Sequence, residues 1–248
     1  MTNLDTSAWS DVRVESRVEG GHRNEVWTGM SRVGRVAIRR SRRSTDSLAW
    51  ELELLTALNA NGFLVPAPLL TDDGRSSADG IVVQRWIDGT PPRGASDWEL
   101  VATELHRLHT CFTANRQRPG CKTITELNRS SRSVDADMST LPDDAATDVL
   151  AVFATMSQVA ISVVHGDPGP SNLRITADGR VGLLDWDESR VDVVHLDLAN
   201  LGIQVLRQDE HQRAVRCADA WEAANAWTAE PSYARQRLAH LRPTPPAT

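Results

Sequence analysis

Lysine is almost missing from this chain: of its 27 Lys and Arg residues, only Lys122 is a lysine. Whatever its origin in compositional bias, the shortage means that a role usually given to an ammonium group falls to arginine or to nothing. Cysteine is scarce as well. Cys111, Cys121 and Cys217 are odd in number, scattered and without metal-ligand spacing, which excludes a disulfide framework and a zinc site and points to a reducing cytoplasm. No apolar run approaches the roughly 20 residues that span a bilayer. Residues 1–11 carry Asp5 and Asp11 and no apolar stretch of a secretion signal, so no membrane partner is expected. A surplus of positive charge is also lacking. With 33 acidic against 27 basic residues the net charge is -6, which argues against a nucleic-acid partner bound through a basic face.

What remains is an ordinary globular composition, 40% hydrophobic and 24% charged over 248 residues, enough to bury one large core or two small ones. From Val12 to Arg40 short alternating runs are broken by Gly20-Gly21, Gly29 and Gly34, the pattern of strands joined by tight turns. Leu48, Leu52 and Leu55, with Trp50, Leu54 and Leu58 beside them, predict a helix that stops at Asn61-Gly62. Ile81 to Trp86 reads as a strand, and the Pro- and Gly-rich segment from Asp88 marks a boundary between residues 1–87 and 88–248.

Beyond it the signal turns helical. Ser96 to Glu99 has the spacing of a capping box ahead of a helix over about 97–110, and 143–157 shows a second apolar face. Further helices are predicted over about 196–207 and 211–227, with a brief strand at 161–164. Asn115 to Leu141 has no periodicity and reads as a long loop with short helical pieces at most, and the Pro-rich tail from Pro243 reads as disordered.

The most informative segment is His165 to Asp187, which gathers Asp167, Asn172, Asp185 and Asp187 around a hairpin signal. A two-residue turn at Asp178-Gly179 would set Asn172 directly across from Asp185. An amide oxygen and a carboxylate side by side make a partial oxygen site of the kind that Mg²⁺ completes with water and phosphate oxygens. Each residue alone is an ordinary turn former or strand end; four at this spacing, flanked by apolar strands, point to phosphoryl transfer.

This segment resembles the aminoglycoside phosphotransferase and choline kinase group, whose catalytic loop reads H-G-D-x-x-x-x-N and whose metal loop reads D-W-D/E or D-F-E. His165-Gly166-Asp167 through Asn172, then Asp185-Trp186-Asp187, match without a gap. The likeness continues at Asp197-Leu198-Ala199 and at Leu105–His109, LHRLH. It extends to Gly20–Trp27 as a nucleotide-covering loop, to 36–39 as the third strand, and to Glu51 as the glutamate of the N-terminal helix, covering about 14–199.

The resemblance implies an α+β, bilobal protein-kinase-like fold, with a small, mostly antiparallel β N-lobe carrying one helix and a larger, mostly α C-lobe. It implies an ATP-dependent O-phosphotransferase, GTP being the alternative donor, that moves the γ-phosphoryl group to a hydroxyl of a small molecule such as an aminoglycoside-like antibiotic or a metabolite. Asp167 would orient or accept the hydroxyl proton, while Asn172 and Asp185 would hold Mg²⁺. Gly20, Gly21, Arg39, Glu51, Gln84 and Trp86 would contact the nucleotide. Strand alternation favours Arg39 over Arg40 for the place of the usual lysine, with Glu51 as its brace and Glu53 as the fallback. Trp86 flanks the adenine or belongs to the core. His165, His106 and His109 read as packing residues rather than metal ligands, and the arginines between 32 and 43 as a solvated sheet edge. A catalytically weak nucleotide-binding protein with a regulatory role is the competing function, favoured by the arginine at position 39. A protein-substrate kinase is disfavoured because no A-P-E segment follows Asp185. No protein partner is deducible. Acidic residues on both sides of the catalytic loop, Asp135, Asp137, Asp143, Asp144 and Asp148 before it and Asp209, Glu210, Asp219, Glu222 and Glu230 after it, would favour a cationic acceptor if they lined the cleft.

Overall fold

A computed structural model describes residues 4–18 and 25–242. The chain divides into two compact units: Met1–Pro91 with Asn172–Leu184, and Pro92–Ser171 with Asp185–Thr248.

The first unit is built on a four-stranded antiparallel sheet in the order β1 (Arg13–Arg17), β2 (Glu25–Ser31), β3 (Gly34–Arg40) and β4 (Ile81–Arg85). Val36, Ile38, Ile81 and Val83 bury one face of the sheet, and Trp9 closes it with its indole N–H on the Leu69 carbonyl at 2.9 Å. Gly29, expected to break a strand, instead lies within β2. A Cβ there would sit 2.6 Å from the Arg13 carbonyl oxygen, and the β1–β2 register shifts between Val14 and Ser16 beside it. Helix α1 (Thr45–Ala60) starts at the cap Ser44 and buries Leu48, Trp50, Leu52, Leu54, Leu55 and Leu58, so its apolar surface covers more than one stripe.

The expected single boundary after residue 87 differs from this division in two ways. The chain changes unit at Pro91–Pro92, and a later hairpin, β6 (Leu173–Ile175) with β7 (Val181–Leu183), belongs to the first unit. Backbone pairing accounts for that allegiance: Thr90 and Ile175 exchange both hydrogen bonds, at 3.1 and 2.7 Å, and the Leu183 N–H reaches the Leu64 carbonyl at 2.9 Å. Gly89, at φ 145°, has no room for a side chain because a Cβ would lie 2.7 Å from the Ile175 oxygen.

The hairpin register also corrects the expected one. Leu173 faces Leu183 and Ile175 faces Val181, so Asn172 lies across from Leu184, whose N–H donates to the Asn172 carbonyl at 2.8 Å. The turn spends three residues, Ala177-Asp178-Gly179, with Gly179 in the left-handed region at φ 79° and the Thr176 hydroxyl accepting the Arg180 N–H at 2.9 Å. Asp185 is therefore one residue past the paired ribbon.

The second unit contains α2 (Ala95–Cys111), α3 (Asp143–Ala154), the antiparallel pair β5 (Ile161–Val164) and β8 (Arg190–Val193), the short α4 (His195–Leu198), α5 (Gln208–Ala226) and α6 (Pro231–Ala239). Its core joins α3, α5 and α6 through Val149, Phe153, Trp221, Ala224 and Leu238. Helix α2 lacks the expected capping box: its cap is Gly94, and Asp97 reaches back to accept the Arg93 N–H at 2.9 Å. The helix expected to Arg207 ends at Leu198. At Gly202 a Cβ would lie 2.1 Å from the Trp98 indole nitrogen, so the ring occupies the space that a helical side chain would need. The unexpected α6 buries only Ala234 and Leu238, too few to print a period, and opens with Pro231 in its first turn. Among the described residues, no helix is long and apolar enough to cross a membrane.

Candidate active site

In the second unit, β5 delivers His165 to a backbone turn at Gly166. Gly166 has φ 93°, and a Cβ on it would lie 2.5 Å from the Glu188 carbonyl oxygen, so two loops approach where only glycine fits. His165 is fully buried, with its ring 4.9 Å from that of Trp186, and its Nδ1 accepts the Asp167 N–H at 3.4 Å. This is the packing role expected for the histidine. Asp167 itself is exposed, its carboxylate on a turn whose backbone is held from behind.

What holds it is Asp197, a fully buried carboxylate on α4. Its Oδ2 accepts the His165 N–H at 2.8 Å and pairs with His109 Nε2 at 2.9 Å, and its Oδ1 accepts the Gly166 N–H at 2.9 Å. Burial pushes this carboxyl up, but the hydrogen bond from His109, the charges of His109 and His165 and the Gly166 N–H outweigh it and hold the pKa below the ordinary carboxylate value. Asp197 and His109 lie in the two flanking motifs that the sequence singles out, yet nothing in their spacing says that they meet.

Asp185 opens the next turn, Trp186–Glu188, with a left-handed backbone at φ 51° and ψ 76°. Such a conformation costs a non-glycine residue about 1–2 kcal/mol; Asp and Asn tolerate it best. The turn is braced by Arg118, 1% exposed, whose Nη1 donates to the carbonyls of Trp186, Asp187 and Ser189 at 3.3, 2.8 and 3.0 Å. Beside it the Gln117 amide bonds both polar groups of the Val191 backbone, at 2.7 and 3.0 Å. Sequence reasoning missed both residues because they sit in the unperiodic stretch 115–141, where a buried arginine looks like any other.

In the first unit, Arg39 and Glu51 form a buried ion pair, with side chains 7% and 1% exposed, while Glu53 is exposed and Arg40 half-buried. Gln84 is buried on β4 opposite Ala37. Trp86 is half-buried rather than core: its indole N–H donates to Asp88 at 3.0 Å and the Arg35 guanidinium stacks 3.9 Å from the ring centroid. Gly20 and Gly21 lie outside the described residues. Asn172 ends the turn that leads into β6, and Asp185 follows β7, so the two flank the hairpin in the chain. Most of the acidic residues considered for acceptor recognition pair with arginine, as Asp144 and Asp148 do with Arg242 at 2.8 and 2.7 Å. Of that set, Glu222 lines a cavity beside Asp167.

Among the described residues no three His, Cys, Asp or Glu side chains gather as a metal site. Asn172 carries its amide oxygen in the first unit and Asp185 its carboxylate in the second.

Several solved structures share the fold. The choline kinase LicA from Streptococcus pneumoniae aligns with TM-score 0.65 and 17% identity over 92% of this chain and 92% of that one. A microcompartment-associated aminopropanol kinase aligns with TM-score 0.63 and 14% identity over 95% and 91%. The GDP and kanamycin complex of APH(2″)-IIia aligns with TM-score 0.59 and 15% identity over 92% and 91%. No curated protein matches the chain in sequence. At these identities the likeness establishes the kinase-like α+β fold. The model of the phosphotransferase enzyme family matches residues 15–240, most of the chain and every motif named above, and the chain therefore belongs to that family of phosphotransferases.

Proposed function

We propose that the protein transfers the γ-phosphoryl group of ATP to a hydroxyl of a small molecule, with Asp167 as the group that orients the hydroxyl and takes its proton. In that step the acceptor oxygen forms the new P–O bond, the bond to the nucleotide diphosphate breaks, and the hydroxyl proton passes to the Asp167 carboxylate. The observation that carries the reading is the Asp197 clasp: a buried carboxylate bonded to the His165 and Gly166 N–H groups stiffens the turn on which the exposed Asp167 stands. A base held this way keeps its orientation without reorganising at the moment of transfer.

Asn172 and Asp185 supply oxygens suited to Mg²⁺. Bound there, the ion would neutralise charge on the transferring phosphate. Arg39, braced by Glu51, serves the phosphates from the first unit, and Gly20, Gly21, Gln84 and Trp86 serve the covering loop and the base. ATP is the donor in this reading, with GTP tested beside it. The competing reading, a weakly active nucleotide binder, draws its support from arginine standing where a lysine is usual. The Arg39–Glu51 pair weighs against it, since a guanidinium can hold Glu51 and a phosphate at once.

The test is a transfer screen: purified protein, Mg²⁺ and γ-labelled ATP or GTP against amino alcohols, hydroxy amino acids, aminated sugars and neutral sugars. Label appearing in an acceptor supports the enzyme. Tight nucleotide binding without transfer to any of these classes supports the competing reading.

A further inference from the structure

In the second unit the antiparallel pair β5 and β8 brings two turns together: β5 runs out into His165–Asp167, and the turn Trp186–Glu188 runs into β8, with Val164 paired to Arg190. The two turns touch. The His165 ring lies 4.9 Å from that of Trp186, and a Cβ on Gly166 would meet the Glu188 carbonyl oxygen at 2.5 Å. Of the four carbonyls from Trp186 to Ser189, Arg118 holds three through Nη1, at 3.3, 2.8 and 3.0 Å. The fourth, that of Glu188, accepts Arg190 Nη1 at 3.2 Å while it packs against Gly166. Gln117 in turn fixes Arg118: its Oε1 accepts the Arg118 and Val191 N–H groups at 2.8 and 3.0 Å, and its Nε2 donates to the Val191 carbonyl at 2.7 Å. Further along, the Ile124 N–H reaches the Asp192 carboxylate at 3.0 Å. The start of the unperiodic stretch after α2 is therefore strapped to β8 and to the turn before it.

From this geometry we infer that Arg118 is a positioning residue for phosphoryl transfer, acting on Asp167 through the turn at 186–189, with Gln117 holding Arg118 in place. Its kinetic half rests on the transferase reading above. Asp197 grips the His165 and Gly166 N–H groups from α4, and Arg118 fixes the surface against which the same two residues pack. Asp167 is the next residue in the chain, so its carboxylate inherits the rigidity of both holds. At 1% exposure Arg118 is shielded from any ligand, and its effect has to pass through the turn. If that turn relaxes, Gly166 is no longer confined and the Asp167 carboxylate samples orientations unfit for transfer. A misplacement of about 1 Å can cost on the order of 10²-fold in rate. An arginine that served the fold alone would change how much protein is folded, not how fast the folded protein turns over.

The experiment compares the full-length parent with Arg118→Lys, Gln117→Leu and, as a stability control, Val149→Ala in the core cluster of α3, α5 and α6, which includes neither turn. Arg118→Lys keeps the charge but ends one bond short of Nη1, and Gln117→Leu frees the Arg118 backbone from Val191. Two quantities are read on folded protein: amide hydrogen exchange over 165–167 and 186–189, and transfer of label from γ-labelled ATP with Mg²⁺ to water, ethanolamine, L-serine, kanamycin and glucose. Arg118→Lys is expected to lower kcat about tenfold or more with KM for ATP within about threefold. It should also speed exchange in both turns about fivefold beyond Val149→Ala. Gln117→Leu should do the same more weakly, and it carries the test if Arg118→Lys does not fold; failure of both to fold would make them residues of the fold alone and overturn the assignment. Parent-like kcat and exchange, or a kcat loss that Val149→Ala shares, would overturn it and leave the transferase reading intact. Faster exchange confined to 186–189 would break the link to Asp167. Faster exchange in 165–167 with no transfer by the parent to any of these acceptors would support the link between the turns and sink the transferase reading.

Discussion

Two buried carboxylates, Glu51 in the first unit and Asp197 in the second, are both fully shielded from water, yet they hold different things. Glu51 engages a side chain, the Arg39 guanidinium, whereas Asp197 engages backbone, the N–H groups of His165 and Gly166, with His109 behind it. A carboxylate that fixes a side chain sets where one charge sits. One that fixes successive backbone groups sets the path of a whole turn, including the residue that follows it. Loss of Glu51 should therefore weaken a ligand contact, and loss of Asp197 should deform the catalytic turn and the fold with it.

The sharpest way to break this comparison is Asp197→Ala. It leaves two backbone donors and His109 without their buried acceptor and should cost about 3–5 kcal/mol of stability with loss of transfer activity, read by urea unfolding and by turnover. A cost as small as that of an exposed substitution would mean that the turn holds itself. Gly166→Ala tests the same turn without touching a charge. Its Cβ would meet the Glu188 oxygen at 2.5 Å in a left-handed backbone, and a loss of about 1–3 kcal/mol with reduced turnover is expected. Unchanged turnover would show that the turn geometry is not critical.

Arg39→Ala and Arg40→Ala sharpen the other side. Arg39→Ala should weaken Mg-ATP binding about tenfold or more, with Arg40→Ala doing little and Glu51→Gln falling between them. Equal small effects by calorimetry would remove Arg39 from the nucleotide site.

The smallest effect is in pH. Because the folded-state pKa of Asp197 lies below its unfolded value, its stabilising contribution is fully present above the unfolded pKa, about 3.9, and is lost as pH falls through the folded pKa. His109→Gln removes the main cause of that depression, so acid unfolding should begin at a higher pH than in the parent. Identical acid limbs would mean that His109 carries no such charge coupling.

How much of this was readable beforehand depends on range. Helix α1, β4 and β5 follow from local periodicity, and membership of the phosphotransferase family follows from residue types at fixed spacing in 165–187, because both are short-range signals. The alternation on β3 also points to Arg39, and its pairing with Glu51 is found. The hairpin register slipped by one because Gly179 takes a left-handed position inside a three-residue loop, a choice that Asp178-Gly179 alone does not distinguish from a two-residue turn. Arg118, Asp197 and the shortened helix at Gly202 depend on partners 68 to 71, 31 to 88 and 104 residues away in the chain, respectively, and no spacing rule reaches that far. Helix α6 was invisible because packing two alanine- and leucine-sized groups leaves no period.

The central claim is that Asp167 takes the proton on a turn fixed by Asp197. Its most direct test is the transfer rate of Asp167→Asn at saturating nucleotide, Mg²⁺ and acceptor, measured beside nucleotide affinity. The amide matches the carboxylate in size and cannot take the proton, so the rate should fall about 10² to 10⁴-fold while affinity stays within about threefold. A rate within a few-fold of the parent would reduce Asp167 to a loop residue and contradict the account.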